Sequence, residues 1–217
     1  MKKAIIIANG DAPKKSQINY LRKIGYNTII CADGGANSAK KLNIIPDYII
    51  GDLDSISKKN LDFFEKRSKI IYYKRQNDTD VEKSLKFLIK KNYEEVVLLG
   101  STGNRLDHTI CNLGIVIKYF PKIKISILHG NSFLRAHSKD VELKTIPKEI
   151  ISIYGFDKKT KIKSTGLKYP LENISLPFGE SESTSNVAIK NKVKLKIKGG
   201  VIFIIRDFKT MQDNDFI

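Results

Sequence analysis

Tyr48-Ile49-Ile50-Gly51-Asp52-Leu53-Asp54-Ser55 joins an apolar run to a pair of acids spaced two residues apart. The run reads as a buried strand, and the acids stand at its carboxyl end. In extended backbone, positions i and i+2 point the same way, so Asp52 and Asp54 are expected to converge. Close carboxylates repel unless a proton or a cation lies between them. The chain carries a formal charge of +16, so an acidic background does not explain the pair. A hard divalent ion such as Mg²⁺ suits oxygen ligands of this kind.

Outward from this stretch, short apolar runs alternate with helical patterns. Strands are expected at Lys3–Ala8, Thr28–Ala32, Tyr48–Gly51, Lys69–Tyr73, Glu95–Leu99 and Lys124–Leu128. The clearest helix is Asp80–Lys91, with Val81, Leu85, Leu88 and Ile89 on one face. Thr79 and Glu82 form a capping-box pattern at its start. A second helix is expected from about Leu106 to Tyr119, with Ile110, Leu113 and Ile117 inward. The alternation predicts a Rossmann-like, mostly parallel sheet with flanking helices. In such sheets ligands bind at the carboxyl ends of the strands. Asp11, Asp33, Asp52, Asp54, Asp78, Asp80 and Asp107 all fall on that rim. Acids are common in loops and helix caps, which accounts for Asp78 and Asp107 singly but not for the repeated placement.

After about residue 136 the helical period fades. Lys192–Lys198 alternates, with Val193, Leu195 and Ile197 on one side and four lysines on the other. Gly199-Gly200 reads as a turn before Val201–Ile205, suggesting a hairpin in a small all-β sandwich. The expected division is therefore an α/β domain over 1–135 and a β-sandwich over 136–217.

The length of 217 residues suits one large domain or two small ones. No long uncharged apolar run suggests a membrane span. The basic, apolar start is too short for a signal peptide and is broken by Asn9-Gly10-Asp11, so it reads as a first strand. Cys31 and Cys111 lie in apolar contexts, which suggests buried, reduced thiols and a cytoplasmic protein. The histidines lack zinc-ligand spacing. The lysines are scattered, and a solvated surface explains them better than a nucleic-acid partner.

Asp33-Gly34-Gly35-Ala36-Asn37 ends one strand and opens a helix, where glycines permit close approach and the helix start favours an anion. Gly100–Arg105 does the same, with Arg105 available to a phosphate oxygen. Neither loop matches GxxxxGK[ST] or GxGxxG. Joined to paired aspartates, they point to Mg²⁺-dependent work on a nucleoside polyphosphate.

Taken in order, Asp33–Asn37, Gly51–Ser55, Asp78-Thr79-Asp80 and Gly103-Asn104-Arg105-Leu106-Asp107-His108 resemble the thiamin pyrophosphokinase family. Ser164–Leu171 and Ser183-Thr184-Ser185-Asn186 resemble that family's thiamin-side segments. The resemblance implies transfer of a diphosphate from ATP to the thiamin hydroxyl, releasing AMP. It implies an α/β domain followed by a β-sandwich, in a homodimer with active sites between subunits. On this basis Asp52, Asp54 and Asp80 are expected to hold Mg²⁺, with Arg105 on phosphate oxygens. Asp33, Gly34, Gly35, Asn37, Gln76, Thr79, Lys83, Thr102, Gly103 and Asp107 are expected to line the ATP site. Lys83 is equally readable as a solvated helix lysine, and Asp107 as the group that orients Arg105 or caps its helix. Tyr169, Ser183, Ser185 and Asn186 are expected to meet thiamin, a flat aromatic cation. Tyr169 stands where the family often has tryptophan, and Asn77 where an aspartate is common. A Mg²⁺-dependent phosphohydrolase is the rival enzyme reading, but it leaves residues 164–186 without a role. A basic nucleic-acid-binding protein is the rival of another class.

Overall fold

The computed structural model describes residues 1–74, 77–103 and 105–217. The chain divides into two compact units, Met1–Gly130 and Asn131–Ile217.

In the first unit, six strands alternate with helices. The strands are β1 (Lys3–Ile7), β2 (Thr28–Ala32), β3 (Tyr48–Gly51), β4 (Lys69–Tyr72), β5 (Glu95–Leu99) and β6 (Lys124–His129). The helices are α1 (Lys15–Lys23), α2 (Gly35–Lys41), α3 (Lys58–Glu65), α4 (Asp80–Lys90) and α5 (Leu106–Tyr119). The strands run parallel in the order β6-β5-β1-β2-β3-β4. Order reverses between β1 and β5, which opens a crevice at their carboxyl ends. The central strands are buried on both faces, as Ile5, Ile6, Val97 and Leu98 show. That is why they read as apolar runs rather than as alternation.

Two helical expectations need correction. On α5 the buried residues are Asn112, Ile115, Val116 and Tyr119, while Ile110 is 62 % and Leu106 69 % exposed. This helix has apolar residues around most of its circumference, so periodicity does not select the inward face. At α4, Thr79 Oγ1 does accept the Glu82 N–H at 3.3 Å. The Glu82 carboxylate does not complete the box: it is drawn to Lys118 Nζ at 2.6 Å and the Tyr119 hydroxyl at 2.5 Å. Two charge-assisted bonds outcompete one cap.

The second unit is all β apart from one short helix. It contains β7 (Ser132–His137), β8 (Val141–Lys144), β9 (Ile150–Tyr154), β10 (Lys161–Thr165), β11 (Glu172–Ile174), β12 (Ser183–Val187), β13 (Lys192–Lys198), β14 (Ile202–Asp207) and α6 (Phe208–Asp213). The strands run in two antiparallel series, β12-β9-β14-β7 and β11-β10-β13-β8. Ile151, Ile153 and Ile204 from one series pack with Ile162, Val193, Leu195 and Ile197 from the other. Val193, Leu195 and Ile197 are buried and the alternate lysines exposed, as their spacing implies. However, β13 and β14 are not hairpin partners. β13 pairs with β10 and β8, and β14 with β7 and β9, so Gly199-Gly200 carries the chain from one sheet to the other.

Cys31 is buried, and desolvation pushes its thiol pKa well up. Cys111 is exposed, contrary to its apolar neighbours in sequence. Among the described residues no helix is long and apolar enough to cross a membrane.

Candidate functional site

A cleft of about 640 Å³ opens at the strand ends of the first unit. Its walls come from the segments that follow β1, β2, β3 and β5, and from the start of α4. The loops after β1 and β5 are tied together: Gly10 N–H donates to Gly100 O at 2.7 Å, and Asp11 N–H to Thr102 O at 2.9 Å. The crevice at the switch point thus has a fixed wall.

The acids do not converge as simple extended-strand neighbours. β3 ends at Gly51, and Leu53, between the two acids, has φ of +64°. The turn that follows exposes Asp54, whose Oδ1 accepts from Ser55 Oγ at 2.8 Å. The carboxylates that do come together are Asp33, Asp52 and Asp80, with one oxygen of each within 4.8 Å of the others. Asp33 follows β2, Asp52 follows β3, and Asp80 opens α4. Gly51 makes the space: a Cβ there would stand 2.7 Å from Asp33 Cβ and 3.1 Å from Asp80 Oδ1.

Asp33 is almost fully buried, with φ of +40°. Its two oxygens accept the Ser55 and Ile56 backbone N–H groups at 3.0 and 3.1 Å. It therefore binds the β3–α3 loop to the end of β2. Burial pushes its pKa up to about 6, helped by a hydrogen bond with Asp54 and the charge of Asp80. Asp80 is also raised, by burial first and then by Asp52 and Asp54, against the pull of Lys83. Lys83 is only 6 % exposed, so the solvated reading does not hold. Its Nζ lies 2.8 Å from Asp80 Oδ1 and 3.9 Å from Asp52 Oδ2. Three hard oxygen donors on the wall of one cleft, with their mutual repulsion only partly offset by one ammonium, fit a small divalent cation.

The surrounding residues divide into those that shape the cleft and those that line it. Gly35 lets α2 approach β1, since a Cβ there would lie 2.0 Å from Ile7 O. Gly34 lies against the Asn9 side chain. Asn37 is a staple: its Nδ2 donates to Ser55 O at 3.0 Å, and its Oδ1 accepts Ser57 N–H at 3.1 Å and Asn60 Nδ2 at 2.8 Å. Thr79 caps α4 at the cleft edge. Thr102 lines the cleft, and Gly103, with φ of +152°, lies against Asp11. Arg105 is exposed and held by Asp107, Nε to Oδ1 at 2.9 Å and Nη2 to Oδ2 at 2.5 Å, which leaves its other N–H donors to face outward. That pairing holds the Asp107 carboxyl below the usual carboxylate range. Gln76 lies outside the described residues.

Sequence reasoning passed over Asn9, Ser101 and Asn112, which also line the cleft. The hydroxyls of Ser101 and Thr102 are buried, and neither has a hydrogen-bond partner among the described residues. The signal for Ser101 was its place directly after Gly100 at the end of a central strand. Asn112 donates to Ser101 O at 2.6 Å and lies two turns into a helix, where nothing in the spacing marks it.

In the second unit, Tyr169 is 59 % exposed, and Ser185 is exposed with φ of +56°. Ser183 Oγ accepts from Asn186 Nδ2 at 3.0 Å, and Asn186 itself is buried. Asn186 also bonds the backbone of Tyr169, so Tyr169, Ser183 and Asn186 are one connected group. Ser185 N–H donates to Ser152 Oγ at 3.0 Å, which ties the residue before Asn186 to β9.

Known proteins similar to this chain are consistent in kind. The profile described as thiamin pyrophosphokinase, catalytic domain, matches residues 23–127. The profile described as thiamin pyrophosphokinase, vitamin B1 binding domain, matches residues 139–202. Thiamin pyrophosphokinase 1 of Caenorhabditis elegans is 31 % identical over 202 residues, covering 86 % of this chain and 81 % of that protein. The solved thiamine pyrophosphokinase of Bacillus subtilis superposes with a TM-score of 0.80 at 26 % identity, over 95 % of this chain and 99 % of that one. The Candida albicans structure shares the fold at 20 % identity, with a TM-score of 0.81 over 95 % of this chain and 89 % of that one. The Asp33, Asp52 and Asp80 cluster lies in the segment matched by the catalytic profile, and the Tyr169–Asn186 group in that matched by the other. Matched by both profiles in order, the chain belongs to the thiamin pyrophosphokinase family.

Proposed function

We propose that this chain is an ATP:thiamin diphosphotransferase, making thiamin diphosphate and AMP. The observation that carries the reading is the acid cluster within the catalytic match, followed on the same chain by a vitamin B1 binding match. The thiamin hydroxyl attacks the β-phosphorus of ATP. A new O–P bond forms, the bond from that phosphorus to the α–β bridging oxygen breaks, and AMP leaves with the oxygen. The hydroxyl proton is released.

Asp52 and Asp80, with Asp33 beside them, would hold Mg²⁺, and Asp54 stands close enough to join through water. The ion supplies charge neutralisation on the phosphate oxygens. Lys83 adds a fixed positive charge in the same place. Arg105 reaches phosphate from the exposed lip of the cleft while Asp107 orients its guanidinium. The Ser101 and Thr102 hydroxyls offer hydrogen bonds to the nucleotide. A loose, metaphosphate-like transition state needs little help from a base, so positioning and charge carry the catalysis. On the acceptor side, the Tyr169 ring offers a stacking face to thiamin, and Ser183 and Ser185 offer hydroxyls.

The apolar Leu106 and Ile110 on the open face of α5 support a homodimer, as the family resemblance implies. Free cysteines and the lack of a membrane-crossing helix among the described residues support a cytoplasmic setting.

Incubation with ATP, Mg²⁺ and thiamin tests the function. AMP appearing only when thiamin is present supports it. Nucleotide hydrolysis irrespective of thiamin would instead mark a phosphohydrolase.

A further inference from the structure

Asn186 stands in the Ser-Thr-Ser-Asn run that the thiamin reading places against substrate, yet its amide has no bond left to offer. A primary amide has two acceptor lone pairs and two donor hydrogens. Asn186 Oδ1 accepts the Tyr169 N–H at 3.1 Å and the Val187 N–H at 2.9 Å. Its Nδ2 donates to Tyr169 O at 2.7 Å and to Ser183 Oγ at 3.0 Å. All four positions are filled within the protein, and the residue is 2 % exposed.

The backbone explains why a side chain does this work. Leu167 bridges Ala188 in antiparallel fashion, with Lys168 N–H donating to Val187 O at 2.8 Å and Ile189 N–H to Gly166 O at 2.9 Å. Counting on two residues along each segment puts Asn186 opposite Tyr169. There the side chain of Asn186, rather than its backbone, meets Tyr169: Asn186 and Val187 are registered with Ile151 and Ile150 of β9, and β12 bulges between Ser183 and Asn186. Ser185, at φ of +56°, makes the bulge. The Asn186 amide substitutes for the missing strand, taking both backbone groups of Tyr169. Tyr169 is thereby fixed at its N–H and C=O while its ring stays open to solvent.

We propose that Asn186 is a positioning residue: it fixes Tyr169 in a thiamin-receiving pose and does not itself touch substrate. This rests on the reading of the second unit as the thiamin side. Removing the amide frees the Tyr169 backbone, so the cost is felt in thiamin binding, through Tyr169.

Thiamin-dependent AMP release is measured for the wild type, Asn186→Ala, Tyr169→Ala and the double variant. Each single substitution raises the thiamin KM roughly five- to tenfold, on the scale of one or two hydrogen bonds or a cation–π contact, and leaves the ATP KM unchanged. The double variant rises no further than Tyr169→Ala alone, because one residue acts through the other. Asn186→Asp keeps both acceptor bonds and loses both donors. It also sets a carboxylate oxygen against Tyr169 O, so its thiamin KM rises at least as far as that of the alanine variant, in whose place it serves should that one not fold. A double variant whose KM rises by the product of the two singles overturns the proposal.

A second measurement needs no activity. The sequence has no tryptophan, so Tyr169→Trp supplies a single fluorophore. Its anisotropy falls when Asn186→Ala is added, whereas an unchanged value overturns the clamp. Should the wild type release no thiamin-dependent AMP, the thiamin reading fails and the anisotropy alone decides the clamp.

Discussion

In the first unit, Asp33, Asp52 and Asp80 bring like charges within 4.8 Å, with one buried lysine among them. In the second unit, the Asn186 amide has every donor and acceptor engaged. The first region carries electrostatic tension that a cation relieves. The second is complete before any ligand arrives and only presents a ring. Residues in a strained cluster act on the ligand directly, whereas residues in a saturated one act by holding another residue. Chemical identity should therefore matter most in the first region, and local geometry in the second.

The largest effect expected is from Asp52→Asn. AMP release falls roughly a hundred- to thousandfold, on the scale of losing one preorganised charged group, while thermal unfolding shows the fold intact. Asp54→Asn, outside the close trio, falls by a smaller factor in the same assay, and equal losses would erase the distinction between them. Next is Gly51→Ala, which introduces a Cβ where Asp33 and Asp80 meet. Overpacking of this kind costs about 1–3 kcal/mol by denaturant titration, with a fall in turnover as the acids are forced apart.

The pH response follows. Asp33 is raised to about 6, so the folded chain holds this proton more tightly than the unfolded one. Its contribution to stability is present at low pH and is lost as pH rises through about 6. Asp80 acts in the same direction. Melting curves without metal should show that Asp33→Asn removes part of the decline between about pH 4 and 6, taking the wild type as reference. Added Mg²⁺ should raise the wild-type melting temperature at pH 7. The smallest effect is at Ser185, whose left-handed backbone a glycine adopts freely. Ser185→Gly is neutral or stabilising by up to about 1 kcal/mol in urea unfolding, and Ser185→Val is destabilising.

The six strands of the first unit were legible because runs such as Ala4–Ile7 and Val96–Leu99 are buried on both faces and carry no competing period. The strand-end rule then placed the acids on one rim. It could not choose which of them meet, because that depends on the left-handed turns at Asp33 and Leu53. Non-glycine residues take that conformation too rarely for a sequence to announce it. The inward face of α5 was illegible for a different reason, too many apolar residues rather than too few. In the second unit the alternation of β13 was plain, but its partner strand was not, since local spacing is silent on which sheet a turn leads to. Asn186 was visible as a polar residue in a matching motif, and only its contacts reveal that its amide is already spent.

Lys83 gives the acid cluster a property that its carboxylates alone would lack. With Nζ bonded to Asp80 and near Asp52, part of the counter-charge is covalently attached to α4. A small zinc domain loses its fold with its metal because nothing else balances or joins the ligands. Here the ligands are joined by a buried sheet and partly balanced by a resident ammonium. Chelation should therefore silence this chain without unfolding it, leaving a stock of folded protein whose activity follows the supply of the ion.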